Sequence, residues 1–176
     1  MSARLAVPPG QKKGAAASAS NEALGRSRGG FGTKIHLLCD ANGHPLHAHL
    51  TAGQTHESTG LVELLAGCSV IGDEQDVPIQ PVALAGDKGY RADWIDAYLL
   101  EQGINPVIPS KINEDRAARP VEFNREQYCR RNIIERLIGW LKECRRICTR
   151  FEKLAANFLG MLKMAFIQRY LKLMFI

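Results

Sequence analysis

A chain of 176 residues, 45% of them hydrophobic, has the length and apolar content for one packed domain, which excludes a disordered or fibrous class. Five cysteines, an odd number with no CxxC pair, exclude a disulfide framework and fit reduced thiols in the cytoplasm. The apolar C-terminal stretch is cut by Lys163, Arg169 and Lys172 into runs too short to span a bilayer.

The formal net charge of +5 is unevenly spread. Residues 1–34 carry +5, residues 35–129 carry −8, residues 130–153 carry +5 and the remainder +3. An acidic middle between basic ends suits a protein that holds cations centrally and a polyanion at its edges.

In chain order, residues 1–33 are rich in Gly, Ala and Ser with scattered Arg and Lys and show no periodicity, so a flexible basic arm is expected. Residues 33–39 (TKIHLLC) form a strand candidate, Asp40-Ala-Asn-Gly43 a turn, and residues 44–51 (HPLHAHLT) the returning strand. A helix is expected over 54–66, then a polar, acidic connection over 67–80. Residues 81–85 (PVALA) read as a short buried strand ending at Gly86-Asp87. Residues 92–102 read as a helix closed by Gly103, and residues 105–109 (NPVIP) as another short strand. A charged loop over 110–124 leads to one long helix over 125–149, and a last helix runs from 154 to the end. Strands interleaved with helices indicate an α/β sheet domain over 34–176.

On the long helix, Tyr128, Arg131, Glu135 and Lys142 fall within roughly 60° of one another at 100° per residue. Leu137, Leu141 and Cys144 are among those on the opposite, core-facing arc. A bland reading is available: a solvated face stabilised by an i,i+4 pair between Arg131 and Glu135. Against it stands the cationic density of Arg130, Arg136, Arg145, Arg146, Arg150 and Lys153, which suits a metal-and-phosphate site. Asp87 follows the end of a buried strand, where α/β sheets place ligand-binding groups, although a turn aspartate is the simpler reading for it alone.

The four-residue pattern Tyr128-x2-Arg131-x3-Glu135-x6-Lys142 resembles the Y-x2-R-x3-E-x6-K signature of bacterial insertion-sequence transposases. The stretch 25–40 (GRSRGGFGTKIHLLCD), the block 85–90 (AGDKGY) and the block 145–153 (RRICTRFEK) resemble segments of the insertion-sequence-five type. The resemblance implies a ribonuclease-H-like mixed sheet flanked by helices and an Asp-Asp-Glu site binding Mg²⁺ or Mn²⁺. Asp87 would be the second acid and Glu135 the third, both holding metal. Tyr128, Arg131, Lys142, Arg145 and Arg146 would contact DNA, with the chain assembling as a homo-oligomer on it and no membrane involved. It also implies that the chain starts downstream of the family's first strand and first catalytic Asp, so that the isolated polypeptide is expected to be inactive. A catalytically inactive DNA-binding remnant is the alternative, and a ribonuclease-H-like nuclease outside transposition a more remote one. His36, His44, His47, His49 and Cys39 have no common zinc spacing and read as polar strand-face residues.

Overall fold

The computed structural model describes residues 2–6, 22–27, 30–70, 79–115 and 117–175. The first sheet holds β1 (Ser2–Ala6), β2 (Gly25–Ser27), β3 (Gly30–Cys39) and β4 (Pro45–Ala52). β3 is central: β1 pairs with one edge, and β2 and β4 follow each other along the other, all antiparallel. The β3–β4 hairpin turns where Asp40 and Asn-Gly indicate, with the Asp40 carboxylate accepting from the backbone N–H groups of Asn42 and His44. A 3-10 turn at Glu57–Gly60 leads into α1 (Leu61–Ala66). A second, parallel sheet pairs β5 (Ala83–Ala85) with β6 (Asn105–Val107), joined through α2 (Asp93–Glu101). Gly103, with φ of +73°, ends that helix as expected. The remainder is helical: α3 (Arg125–Cys129), α4 (Asn132–Glu143), α5 (Arg145–Cys148) and α6 (Ala155–Met174). The architecture is a mixed α/β arrangement of small sheets and helices, in line with the reading from interleaved elements.

β3 explains the layering, because it is buried on both faces from residue 32 to residue 37. Alternation sends Ile35 and Leu37 to one face, where they meet Ile134, Leu137, Ile138 and Leu141 of α4 and Phe158, Leu162 and Phe166 of α6. Fully burying each such side chain contributes about 1.5–3 kcal/mol. Lys34 and His36 alternate to the opposite face, toward a second cluster of Leu61, Tyr90, Ile95, Leu99, Ile104 and Ile108.

Three expectations are corrected. β1, β2 and the start of β3 lie within the stretch 1–33 that reads as a flexible arm. Strand pairing there uses backbone groups, with Ser2 opposite His36 and Ala6 opposite Gly32, and needs no side-chain alternation. β1 pairs with β3 over 32–36; residues 1, 7–21 and 28–29 of that stretch lie outside the described ones. The helix expected from 54 begins with a 3-10 turn, capped by the His56 side chain.

The third correction concerns the long helix expected over 125–149, which is divided in two places. Arg130 and Arg131 keep right-handed dihedrals but use i→i−3 bonds, such as Arg131 N–H to the Tyr128 carbonyl at 3.0 Å. Cys144 turns extended, with ψ of 96°. The turn at Cys144 lets Ile147 drop into the core and Arg150 reach the first sheet.

Candidate active site

Asp87 sits where the β5 strand ends. It caps the 3-10 turn Lys88–Tyr90, its Oδ1 accepting from the Lys88 N–H at 2.6 Å, and is half-buried. Hydroxyl, carboxylate and imidazole groups crowd behind it. Tyr90 is buried, and burial first, then the Glu57 and Asp87 carboxylates, push its phenol above the ordinary range. Glu57 is held ionised by a hydrogen bond and ion pair from Lys34, which outweigh the opposing effect of burial.

Glu135 lies on α4 and its carboxylate is 47% exposed. Arg131 Nη2 donates to its Oε1 at 2.6 Å, and the Arg131 guanidinium stands 5.3 Å from the Tyr128 ring centroid. Tyr128, Arg131 and Glu135 therefore form one chain of contacts despite the tightening at residues 130–131. The i,i+4 pair foreseen in the bland reading is present. Lys142, Arg145 and Arg146 are exposed, and Leu137 and Leu141 are buried as their periodicity predicts. Cys144, expected in the core, is only half-buried because the backbone turns there.

Between the end of β3 and β5 lies a mainly apolar cavity of about 930 Å³. Residues 37–41 line one side, residues 83–86 another, and Gln127, Arg130, Arg131, Ile133 and Ile134 a third. Gly86 and Ile134, the chain neighbours of Asp87 and Glu135, both belong to its wall. Among the described residues no three His, Cys, Asp or Glu side chains gather as a metal-ligand group.

Several polar residues have roles their sequence does not announce. Arg150, grouped above with the exposed cations, is 1% exposed. It donates to Thr33 Oγ1 and to the carbonyls of Glu22, Glu152 and Lys153, with Phe158 beneath it. Asp96 and Arg119 form a buried two-point pair at 2.7 and 2.9 Å. Both nitrogens of His36 are used, by Tyr90 and Thr51, so the ring is not a spare metal ligand. The one available signal for Lys34 and His36 is that they alternate with Ile35 and Leu37 in a strand whose ends are also apolar.

A mixed α/β domain with a strand-end carboxylate, a helical carboxylate and a cation-rich C-terminal region defines the class in broad terms. The chain belongs to the transposase DDE domain family, whose profile matches residues 7–168. It is 34% identical over 125 residues to a Burkholderia cepacia protein described as a transposase for insertion sequence element IS402, covering 70% of this chain and 56% of that relative. It is 29% identical over 133 residues to a Brucella ovis protein described as a transposase for element IS6501, covering 76% of this chain and 93% of that one. The chain thus spans little more than half the length of the IS402 relative. No solved structure matches it. No helix among the described residues is long and apolar enough to cross a membrane.

Proposed function

We propose that the chain carries Asp87 and Glu135 as the second and third catalytic acids of an insertion-sequence transposase of the insertion-sequence-five type, on a ribonuclease-H-like sheet. The assembled enzyme would hydrolyse a phosphodiester at the element end and join the 3′-hydroxyl to target DNA. The observation that carries this reading is that Gly86 and Ile134, the chain neighbours of Asp87 and Glu135, line one cavity together with Arg131, whose guanidinium reaches both Tyr128 and Glu135.

The donor chemistry suits Mg²⁺ or Mn²⁺, which take carboxylate oxygens and complete their shell with water and substrate phosphate. Asp87 and Glu135 would hold the ion. Bound there, it would activate a water and stabilise the leaving oxygen. Arg131 neutralises Glu135, and beside a bound ion its guanidinium would be free to take a phosphate oxygen instead. Tyr128 supplies a ring beside it. The exposed Lys142 at the end of α4, and Arg145 and Arg146 on α5 beyond the turn at Cys144, would supply further phosphate contacts. The enzyme acts on DNA as a homo-oligomer in the cytoplasm, where free thiols such as these five persist.

A second reading, a DNA-binding remnant without catalysis, is favoured by one observation: the described carboxylates form no group of three ligands. A strand-transfer assay on an element end with Mg²⁺ separates the two, run with the chain fused behind a segment that supplies the first Asp, beside a DNA-binding assay on that fusion, Asp87→Asn and Glu135→Gln. Catalysis predicts strand transfer by the fusion and its loss in both variants. The remnant predicts DNA binding by all three proteins and strand transfer by none. Strand transfer that survives both substitutions would remove Asp87 and Glu135 from the site.

A further inference from the structure

Buried polar side chains stand behind the Asp87 turn, and neither metal holding nor DNA contact employs them. Lys34 is 1% exposed; its Nζ pairs with Glu57 Oε1 at 2.8 Å and also donates to the Thr55 carbonyl. Glu57 in turn rests on the turn itself. A Cβ at Gly89 would stand 3.1 Å from Glu57 Cγ, close enough that the Glu57 side chain would have to give by a few tenths of an ångström.

His36 makes the second connection. Its Nδ1 lies 2.7 Å from the Tyr90 hydroxyl and its Nε2 2.8 Å from the Thr51 hydroxyl. Gly60 leaves room for the ring, since a Cβ there would stand 2.7 Å from Nε2. Burial lowers the His36 pKa to about 4, so the ring is neutral at pH 7, one nitrogen donating and the other accepting.

A buried lysine and a buried histidine are expensive choices for a central strand, and apolar residues of similar size commonly serve stability as well or better. Both connections end on the same short turn, one at Gly89 and one at Tyr90. The turn's own backbone offers only short-range bonds, from Tyr90 N–H to the Asp87 carbonyl at 2.9 Å and from Arg91 N–H to the Lys88 carbonyl at 3.0 Å.

We propose that Lys34, His36, Glu57 and Tyr90 are positioning residues that clamp the 87–90 turn to β3 at two points and thereby fix the direction of the Asp87 carboxylate. The inference rests on the reading of Asp87 as a metal-holding acid. Stability is the smaller part of the clamp's role; its output is the geometry of one carboxylate.

The test uses the 176-residue chain with Mn²⁺ alone as the probe. Water-proton relaxation measures Mn²⁺ affinity, amide hydrogen exchange at positions 88, 90 and 91 measures the turn, and urea denaturation measures stability. Tyr90→Phe keeps the ring in the core and removes the hydroxyl. Lys34→Met fills the same space and removes the pair with Glu57. Ile138→Val, in the other core, serves as a control for a small general loss of stability. Both clamp variants should weaken Mn²⁺ binding and speed turn exchange about fivefold, the equivalent of one hydrogen bond. Lys34→Met should also lower the urea midpoint, since the Glu57 carboxylate and the Thr55 carbonyl lose a buried cationic donor, and the control, which loses stability without touching the turn, should leave Mn²⁺ affinity unaltered. If Asp87→Asn leaves Mn²⁺ affinity unchanged, the reading of Asp87 fails and takes the positioning role with it. If Asp87→Asn weakens Mn²⁺ while both clamp variants behave like the control, the clamp alone is overturned.

Discussion

Replacing Arg150 with methionine separates structural from DNA-contacting cations in the basic C-terminal region. Arg150→Met keeps most of the volume and the contact with Phe158, but removes donors to Thr33 Oγ1 and to the carbonyls of Glu22, Glu152 and Lys153. Thr33 still donates to the Ala23 carbonyl, so its hydroxyl is not orphaned. The three carbonyls are partly buried and lose a charged donor, while the cost of desolvating the guanidinium, visible in its lowered pKa, is recovered. Weighing these, the net loss is about 3 kcal/mol. With a urea m-value of about 2 kcal/mol/M for a domain of this size, the midpoint should fall by about 1.5 M. Under folding conditions the salt dependence of DNA binding should not change, because the guanidinium does not reach the surface. An unchanged midpoint together with a flatter plot of log K against log salt would refute the burial argument and return Arg150 to the DNA-facing set.

The converse substitution, Arg145→Ala with Arg146→Ala, should leave the urea midpoint nearly unchanged and reduce the salt slope by up to about 1.8, each phosphate contact contributing about 0.9; an unaltered slope would mean these exposed arginines face something other than DNA. His36 should make stability depend on pH. Its folded pKa of about 4 lies below the unfolded value of 6.5, so its contribution is whole above pH 6.5 and is lost as pH falls toward 4. The loss reaches at most about 3 kcal/mol. Urea midpoints at pH 7 and pH 4.5 for the chain and for His36→Asn would test this, and equal pH dependence in both would exclude His36 as the source.

Much of the scaffold can be read from local patterns. The β3–β4 hairpin follows from Asp40-Ala-Asn-Gly43 between two strand-forming runs, and α2 ends at Gly103 because a glycine there accepts φ of +73°. The core arc of α4 follows from the spacing of Ile134, Leu137 and Leu141. Long-range choices are not legible in this way. β1 joins the sheet through backbone groups that every residue possesses. Lys34 and His36 look like the solvent face of a strand until Glu57 and Tyr90, 23 and 54 residues further on, are seen covering them. Arg150 looks like one more exposed cation because charge runs usually are, and its acceptors lie at the other end of the chain. Asp87 was readable as a strand-end acid from the PVALAGD pattern, but that its turn leans on Glu57 depends on packing between distant segments.

The reach of Arg150 also sets an order of events during synthesis. Its acceptors at Thr33 and Glu22 lie 117 and 128 residues earlier. At about 5–20 residues per second, a growing chain carries them for roughly 6–25 s before Arg150 is made. The segments that cover Ile35 and Leu37, α4 and α6, are completed in the same late interval. The strand at the centre of the first sheet is therefore made well before one of its faces is enclosed. During that interval the uncovered Ile35 and Leu37 face can associate with nascent chains on neighbouring ribosomes, and slower translation past residue 150 should increase the share of product lost to aggregation.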